Sequence, residues 1–137
     1  MKNIKFEVFE SSPVSEADCI QIGRLYCSVG WGREYTISQL KAIFDGAQYH
    51  VLARCGGEVV GALRALSDGC FTTWIADVAV DPKYQGCGVG RSMMETLINK
   101  YKHTAIYSSA LIGSVEFFNK LGVTEKTKLV ACSRRQD

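Results

Sequence analysis

Long apolar runs are missing from this 137-residue sequence: no stretch holds 18 apolar residues, and the opening MKNIKFEVFE alternates instead of forming the apolar block of a secretion signal. The expectation is a soluble, cytoplasmic protein without a membrane span or leader. An excess of one charge is missing too. Sixteen Lys and Arg against 14 Asp and Glu leave a net charge of +2, too little to argue for nucleic acid or a membrane surface. The six cysteines, at 19, 27, 55, 70, 87 and 132, include no CxxC pair and no histidine at ligand spacing, so no metal site is expected. Most lie in apolar periodic runs and read as reduced, packed thiols. Repeats, linkers and low-complexity segments are absent. With 47% hydrophobic and 22% charged residues, the chain reads as one domain over residues 1–137, long enough to bury its own core.

Glycine, by contrast, is concentrated in one place. Val78 to Arg91 reads VAVDPKYQGCGVGR: an apolar strand, an Asp-Pro turn, the run Gln85-Gly86-Cys87-Gly88-Val89-Gly90, then a helical pattern without glycine until Gly113. The first N–H groups of a helix have no partner within it and carry the positive end of its dipole, so this arrangement predicts an anion site for phosphate. A Walker loop would need Gly-Lys-Ser/Thr, whereas Gly90 is followed by Arg91 and Ser92. A Rossmann fingerprint would need GxGxxG near the start of alternating strands and helices, and the spacing here is GxGxG, late in the chain. A turn that binds nothing is the alternative. Three glycines in five residues weaken a helix start, however, unless close backbone approach is required. Cys87 is expected to be accessible in this loop, as an incidental cysteine or, less in keeping with its surroundings, a catalytic thiol.

The rest of the chain alternates between two periods. Ile4, Phe6 and Val8 mark a first strand, and Ser15 caps a helix to about Val29 with Cys19, Ile20, Ile22, Tyr26 and Cys27 on one side. After a loop from Gly30 to Tyr35, Thr36 or Ser38 opens a shorter helix closed by Gly46. Residues 49–54 and 59–66 read as a hairpin about Gly56-Gly57, and residues 71–80 as a long strand. Met93, Met94, Leu97, Ile98 and Tyr101 then give a helical stripe. A strand over 104–108, a helix over 112–121 and a final strand over 128–133 complete the pattern.

The glycine loop resembles the pyrophosphate loop of the GCN5-related N-acetyltransferase (GNAT) family, Gln/Arg-x-x-Gly-x-Gly/Ala, with Gln85, Gly88 and Gly90 in its fixed places. The order βααβββαβαβ is similar to that family's as well. Ala65-Leu66-Ser67-Asp68-Gly69 and Trp74-Ile75-Ala76-Asp77-Val78 look like the subgroup of chloroplast-type serotonin and arylalkylamine acetyltransferases and their bacterial relatives. The resemblance implies a single α/β (α+β) domain with a mixed, mostly antiparallel sheet, splayed at parallel central strands and flanked by about four helices. It implies acetyl-CoA as co-substrate, no metal, and direct attack by a primary amine in a ternary complex. An arylalkylamine or polyamine acceptor is the expectation, with a protein amine, or acetyl-CoA binding without catalysis, as alternatives.

Carried over residue by residue, the resemblance puts Val78, Ala79 and Val80 along the pantetheine arm, and Gln85, Gly86, Cys87, Gly88, Val89, Gly90 and Arg91 at the pyrophosphate. Arg91 either pairs with phosphate or is solvated. Asp77 is the first candidate for the base that deprotonates the amine, since a lone charge in an apolar strand is costly unless paired or used. Its alternative is a carboxylate bound to the backbone or to an arginine such as Arg64. The tyrosine that protonates the thiolate in many relatives is replaced by Phe118, which leaves Tyr107, Ser114 or water. Tyr107 reads more readily as a core residue than as that acid. Trp31, Arg33, Glu34 and Tyr35, with Phe71 and Trp74 opposite, are expected to line the acceptor site, where aromatic walls and one carboxylate suit a cation. A homodimer is expected, with the final strand covering an edge.

Overall fold

The computed structural model describes residues 3–31 and 34–134; Arg33, among the expected lining residues, lies outside them. Strand β1 (Glu7–Glu10) leads into helices α1 (Glu16–Ser28) and α2 (Ile37–Asp45), followed by strands β2 (Tyr49–Cys55), β3 (Glu58–Ser67) and β4 (Thr72–Val80). Helix α3 (Val89–Tyr101), strand β5 (Ala105–Ser108) and the short helix α4 (Val115–Asn119) complete the elements. Both early helices begin with reciprocal caps. The Ser15 hydroxyl accepts from Asp18 N while Asp18 accepts from Ser15 N, and Thr36 and Gln39 do the same for α2.

The strands form one sheet in the order β1-β2-β3-β4-β5, antiparallel except for the β4–β5 pair. Gly56 and Gly57, both at positive φ, make the tight turn of the β2–β3 hairpin. Met93, Met94 and Leu97 of α3 pack with Val51, Leu63 and Ile75 on one face, together with Phe118 of α4. Ile22, Leu25 and Tyr26 of α1 and Leu40 and Phe44 of α2 pack on the other, against Leu52, Ala62 and Ala79.

Ile75 and Ala79 are four residues apart and would share a face in a regular strand, yet they belong to opposite cores. The register explains this: Arg64 pairs with Asp77 and Ala65 with Ile75, so Ala76 is an extra residue, a β-bulge. The bulge turns Asp77 toward α1 and α2. On the other edge of β4 the pairing with β5 runs only from Thr72–Ala105 to Ile75–Ser108. From Ala76 to Val80 that edge has no β5 partner, which is the expected splay.

Two expectations at the C-terminal end need correction. Residues 112–121 form a 3₁₀ turn (Ile112–Ser114), in which Ser114 N bonds to Leu111 O three residues back, and then the five-residue α4. Residues 128–133 are not a strand. Leu129 N bonds back to Lys126 O, and Leu129 and Val130 are 63% and 85% exposed, so no burial rewards sheet pairing there.

Candidate active site

Asp77 and Arg64 face each other across the β3–β4 ladder on the side covered by α1 and α2. Arg64 Nε donates to Asp77 Oδ2 at 2.6 Å, and the Tyr26 hydroxyl donates to the same oxygen at 3.2 Å. The pairing with Arg64 held open as Asp77's alternative is therefore present, and Tyr26 joins it. Burial, and then the neighbouring carboxylate, raise the Tyr26 phenol well above its ordinary range, so it remains a protonated donor.

The chain beyond α1 folds back over Tyr26. Trp31 N donates to Tyr26 O at 3.1 Å, with Gly30 at φ +81° making the bend. The Trp31 ring lies 4.8 Å from that of Tyr26, and the Tyr35 ring meets it edge-on at 5.5 Å. These three rings wall a cavity of about 380 Å³; Gln39, Ala42 and Ile43 of α2 form another side, and Arg64 and Asp77 the floor. Trp31, Tyr35 and Asp77 thus come together as the sequence suggested. Tyr26 was absent from that reading because an apolar stripe already accounted for it, and Gln39 because nothing in the sequence marks a lone glutamine in a helix as lining a cavity.

The glycine loop opens α3. Gly86 and Gly88 have φ of +78° and +87°, and a Cβ on either would meet nothing within 4 Å, so backbone conformation is their requirement and the space above them is open. Gly88 is the N-cap, no side chain caps this helix, and its first turn carries no acidic residue. These N–H groups fit an anion. Gly90 has a different reason: a Cβ there would stand 3.2 Å from two carbons of the Phe117 ring. The Gln85 amide donates to Val80 O at 3.0 Å, tying the loop to the end of β4. Arg91 pairs with Glu95 at 2.7 Å and is mostly exposed. Cys87, expected to be accessible, is 7% exposed with Sγ turned back toward Gln85 O.

Tyr107 and Trp74 occupy another place. They are register neighbours one pair short of the end of β5, stacked at 6.4 Å, and both about two-fifths exposed. Tyr107 is therefore not a core residue; it lines a second concavity with residues 125–129, away from the walls around Asp77. Phe71 is 76% exposed, and Phe118 lies in the core against Phe117. Among the described residues no cluster of three or more His, Cys, Asp or Glu could hold a metal, and no helix is long and apolar enough to cross a membrane.

A mixed sheet that parts beside a glycine loop and a helix start is the architecture of N-acetyltransferases of known structure. Glucosamine-6-phosphate N-acetyltransferase from Arabidopsis thaliana aligns with a TM-score of 0.78 over 97% of this chain and 99% of that one, at 15% identity, a likeness of fold alone. Sequence carries the assignment further. Residues 17–123 match the Acetyltransferase (GNAT) family, and the chain belongs to it. "Histone acetyltransferase TAP1" of Glycine max is 32% identical over 121 residues, 78% of this chain and 52% of that protein. "Serotonin N-acetyltransferase 2, chloroplastic" of Oryza sativa subsp. japonica is 36% identical over 69 residues, 48% of this chain and 34% of that protein. The likeness to the chloroplast-type subgroup thus holds, while the chain spans about half the length of the first of these relatives and a third of the second.

Proposed function

We propose that the protein transfers the acetyl group of acetyl-CoA, the co-substrate of its family, to the primary amine of a small molecule, by direct attack in a ternary complex. An arylalkylamine or a polyamine is the acceptor first suggested by the sequence. The observation that carries the reading is the Asp77 carboxylate on the floor of an aromatic-walled cavity, at the point where β4 loses its β5 partner. Cation-π contact and a counter-charge together hold an ammonium group.

In this reading the first N–H groups of α3, with Gly86, Cys87, Gly88, Val89 and Gly90, hold the pyrophosphate by their backbone, and Gln85 holds the loop in place. Arg91 adds a phosphate contact when it leaves Glu95. Val78, Ala79 and Val80 offer backbone groups to the pantetheine arm as a sheet edge does to an added strand, and an N–H near Val78 faces the thioester oxygen. Asp77 takes one proton from the bound ammonium through Oδ1, the oxygen not used by Arg64 and Tyr26, and releases it to water. The amine lone pair forms the C–N bond and the C–S bond breaks with its pair on sulfur. The thiolate then gains the second nitrogen proton through Tyr107 or water. A thiol of pKa about 8.5 leaves readily enough that Phe118 in place of a tyrosine is no barrier.

The thiols, none in a disulfide, suit a reducing cytoplasm, and the unpaired β5 edge with exposed Leu129 and Val130 suits a homodimer. The test is acetyl transfer from acetyl-CoA to a panel of arylalkylamine, polyamine, aminosugar, amino-acid and lysine-peptide acceptors, read by mass spectrometry of the products. Turnover of small amines supports the reading. Product from lysine peptides alone would favour protein acetylation, in keeping with the name of the soybean relative; acetyl-CoA binding without any product would leave a binding module.

A further inference from the structure

The cavity floor holds two opposite charges side by side. Arg64 commits Nε to Asp77, and among the described residues its Nη1 and Nη2 donate to nothing. Its side chain is only 20% exposed. A guanidinium carries five N–H donors in a planar fork matched to a carboxylate; here four remain, half-withdrawn from water, in the wall of a cavity. The contrast with the other ion-paired arginines is instructive. Arg54 spends Nη1 on Asp18 and lies over the Phe9 ring, and Arg91 meets Glu95 at the surface. Neither lines this cavity.

We infer that the acceptor carries a carboxylate beside its amine: it is an α-amino acid with an aromatic or large apolar side chain. The inference rests on the acetyl-transfer reading of this site and narrows it. The carboxylate lies on the Nη edge of Arg64, the ammonium on Oδ1 of Asp77, and the side chain between Trp31 and Tyr35. Three physical arguments converge on this class. Arg64 and Asp77 are in contact at 2.6 Å, so the complementary charges of a ligand must also be close, as on a single carbon. The pair sums to zero and the other described lining residues are uncharged, with Tyr26 protonated, so a zwitterion matches the cavity. A polyamine would press a second ammonium against Arg64, and an arylalkylamine without a carboxylate would cover the Nη groups while leaving them unpaired.

The deciding measurement is kcat/KM for pairs that differ only in the carboxylate: phenylalanine against phenethylamine, tryptophan against tryptamine, leucine against isoamylamine. The amino acid of each pair is expected to be preferred by about tenfold or more, because a site built around a polar group rejects the analogue that lacks it. Arg64→Lys keeps a positive charge beside Asp77 and loses the fork. It should narrow the preference to within about threefold, chiefly through KM. Equal or better use of the carboxylate-free amines by the unaltered protein overturns the inference and leaves acetyl transfer standing, as does a preference that Arg64→Lys does not change. Product from other acceptors of the wider panel but from none of these pairs overturns the inference; absence of product from the whole panel sinks the acetyl-transfer reading instead, and calorimetry on the unaltered protein then decides this one. Phenylalanine binding that is weakened in Arg64→Lys supports a carboxylate site; no binding, or equal binding of phenethylamine, rejects it.

Discussion

Asp77 is the residue on which the chemistry turns, and its neighbours define what a substitution would do. Asp77→Asn retains the shape and an acceptor oxygen for Tyr26 but loses the anion that faces the substrate. Its kcat/KM for amines should fall by about 10², the lower range for a positioned acid or base, while acetyl-CoA affinity measured by calorimetry stays unchanged. An equal loss of cofactor affinity would mean that Asp77 acts on the fold of β4. Gly88 makes the complementary prediction. At φ +87° with open space above it, an alanine there is strained without clashing, at about 1 kcal/mol. Gly88→Ala should weaken acetyl-CoA binding about tenfold or more and lower Tm by a few degrees; undiminished affinity would remove the loop from the phosphate site. The roles of these two residues were legible in the sequence to different degrees. Gly88 is read from its own backbone needs; for Asp77 the sequence offered Arg64, 13 residues away, only as one alternative, and Tyr26, 51 residues away on α1, not at all.

Among the elements, α1 and α3 show how local signals and packing divide the work. Asp18 closes the capping box of α1 and also receives Arg54 Nη1 at 2.8 Å. The Arg54 hydrogen bond lowers its carboxyl to about 2 from 3.8, against the opposing effect of burial and helped by the Ser15 N–H. The folded state therefore holds this proton less well than the unfolded chain. The stabilisation is full above 3.8 and is lost as pH falls toward about 2. Denaturant titrations should lose about 2 kcal/mol across that window, and Asp18→Asn should be weaker at pH 7 and flatter in acid. A variant as acid-sensitive as the parent would place the effect elsewhere. For α3, Gly90→Ala brings a Cβ to 3.2 Å from the Phe117 ring, which must give by a few tenths of an ångström, and Tm without ligand should fall if α4 holds that ring in place. A normal Tm would mean that α4 yields freely. Gly88 and Gly90 look alike in a motif, and only the packing of α4 separates conformational need from close approach.

For the molecule as a whole, acid tolerance and assembly are the properties to test. His50 is buried, donates Nε2–H to Ser12 O at 2.8 Å, and is held below its ordinary 6.5 by that burial. Protons bind the unfolded chain first, so stability falls as pH drops through 6.5, before the Asp18 transition begins. His50→Gln should remove the earlier loss and keep the later one; persistence of both would assign the first to another group. Light scattering should give twice the chain mass of 15.1 kDa if the open β5 edge is covered by a second copy. A monomer mass would reject the dimer.

The chain's own sequence determined the elements whose signals are local: the Gly56-Gly57 hairpin turn, the capped starts of α1 and α2, and the glycine opening of α3. Each depends on hydrogen bonds and backbone angles within a few residues, so neighbouring residues suffice to specify it. Tertiary structure decided which face Asp77 occupies, because the bulge at Ala76 exists only in the register between β3 and β4 and reverses the side-chain alternation that the sequence alone implies. It decided, too, that residues 128–133 remain outside the sheet, since a strand of any propensity needs burial and a paired edge to hold it. The acceptor cavity belongs wholly to this second kind. Its rings, its carboxylate and its guanidinium come from four separate segments, and only the closure of α1 and α2 over the sheet brings them within reach of one ligand.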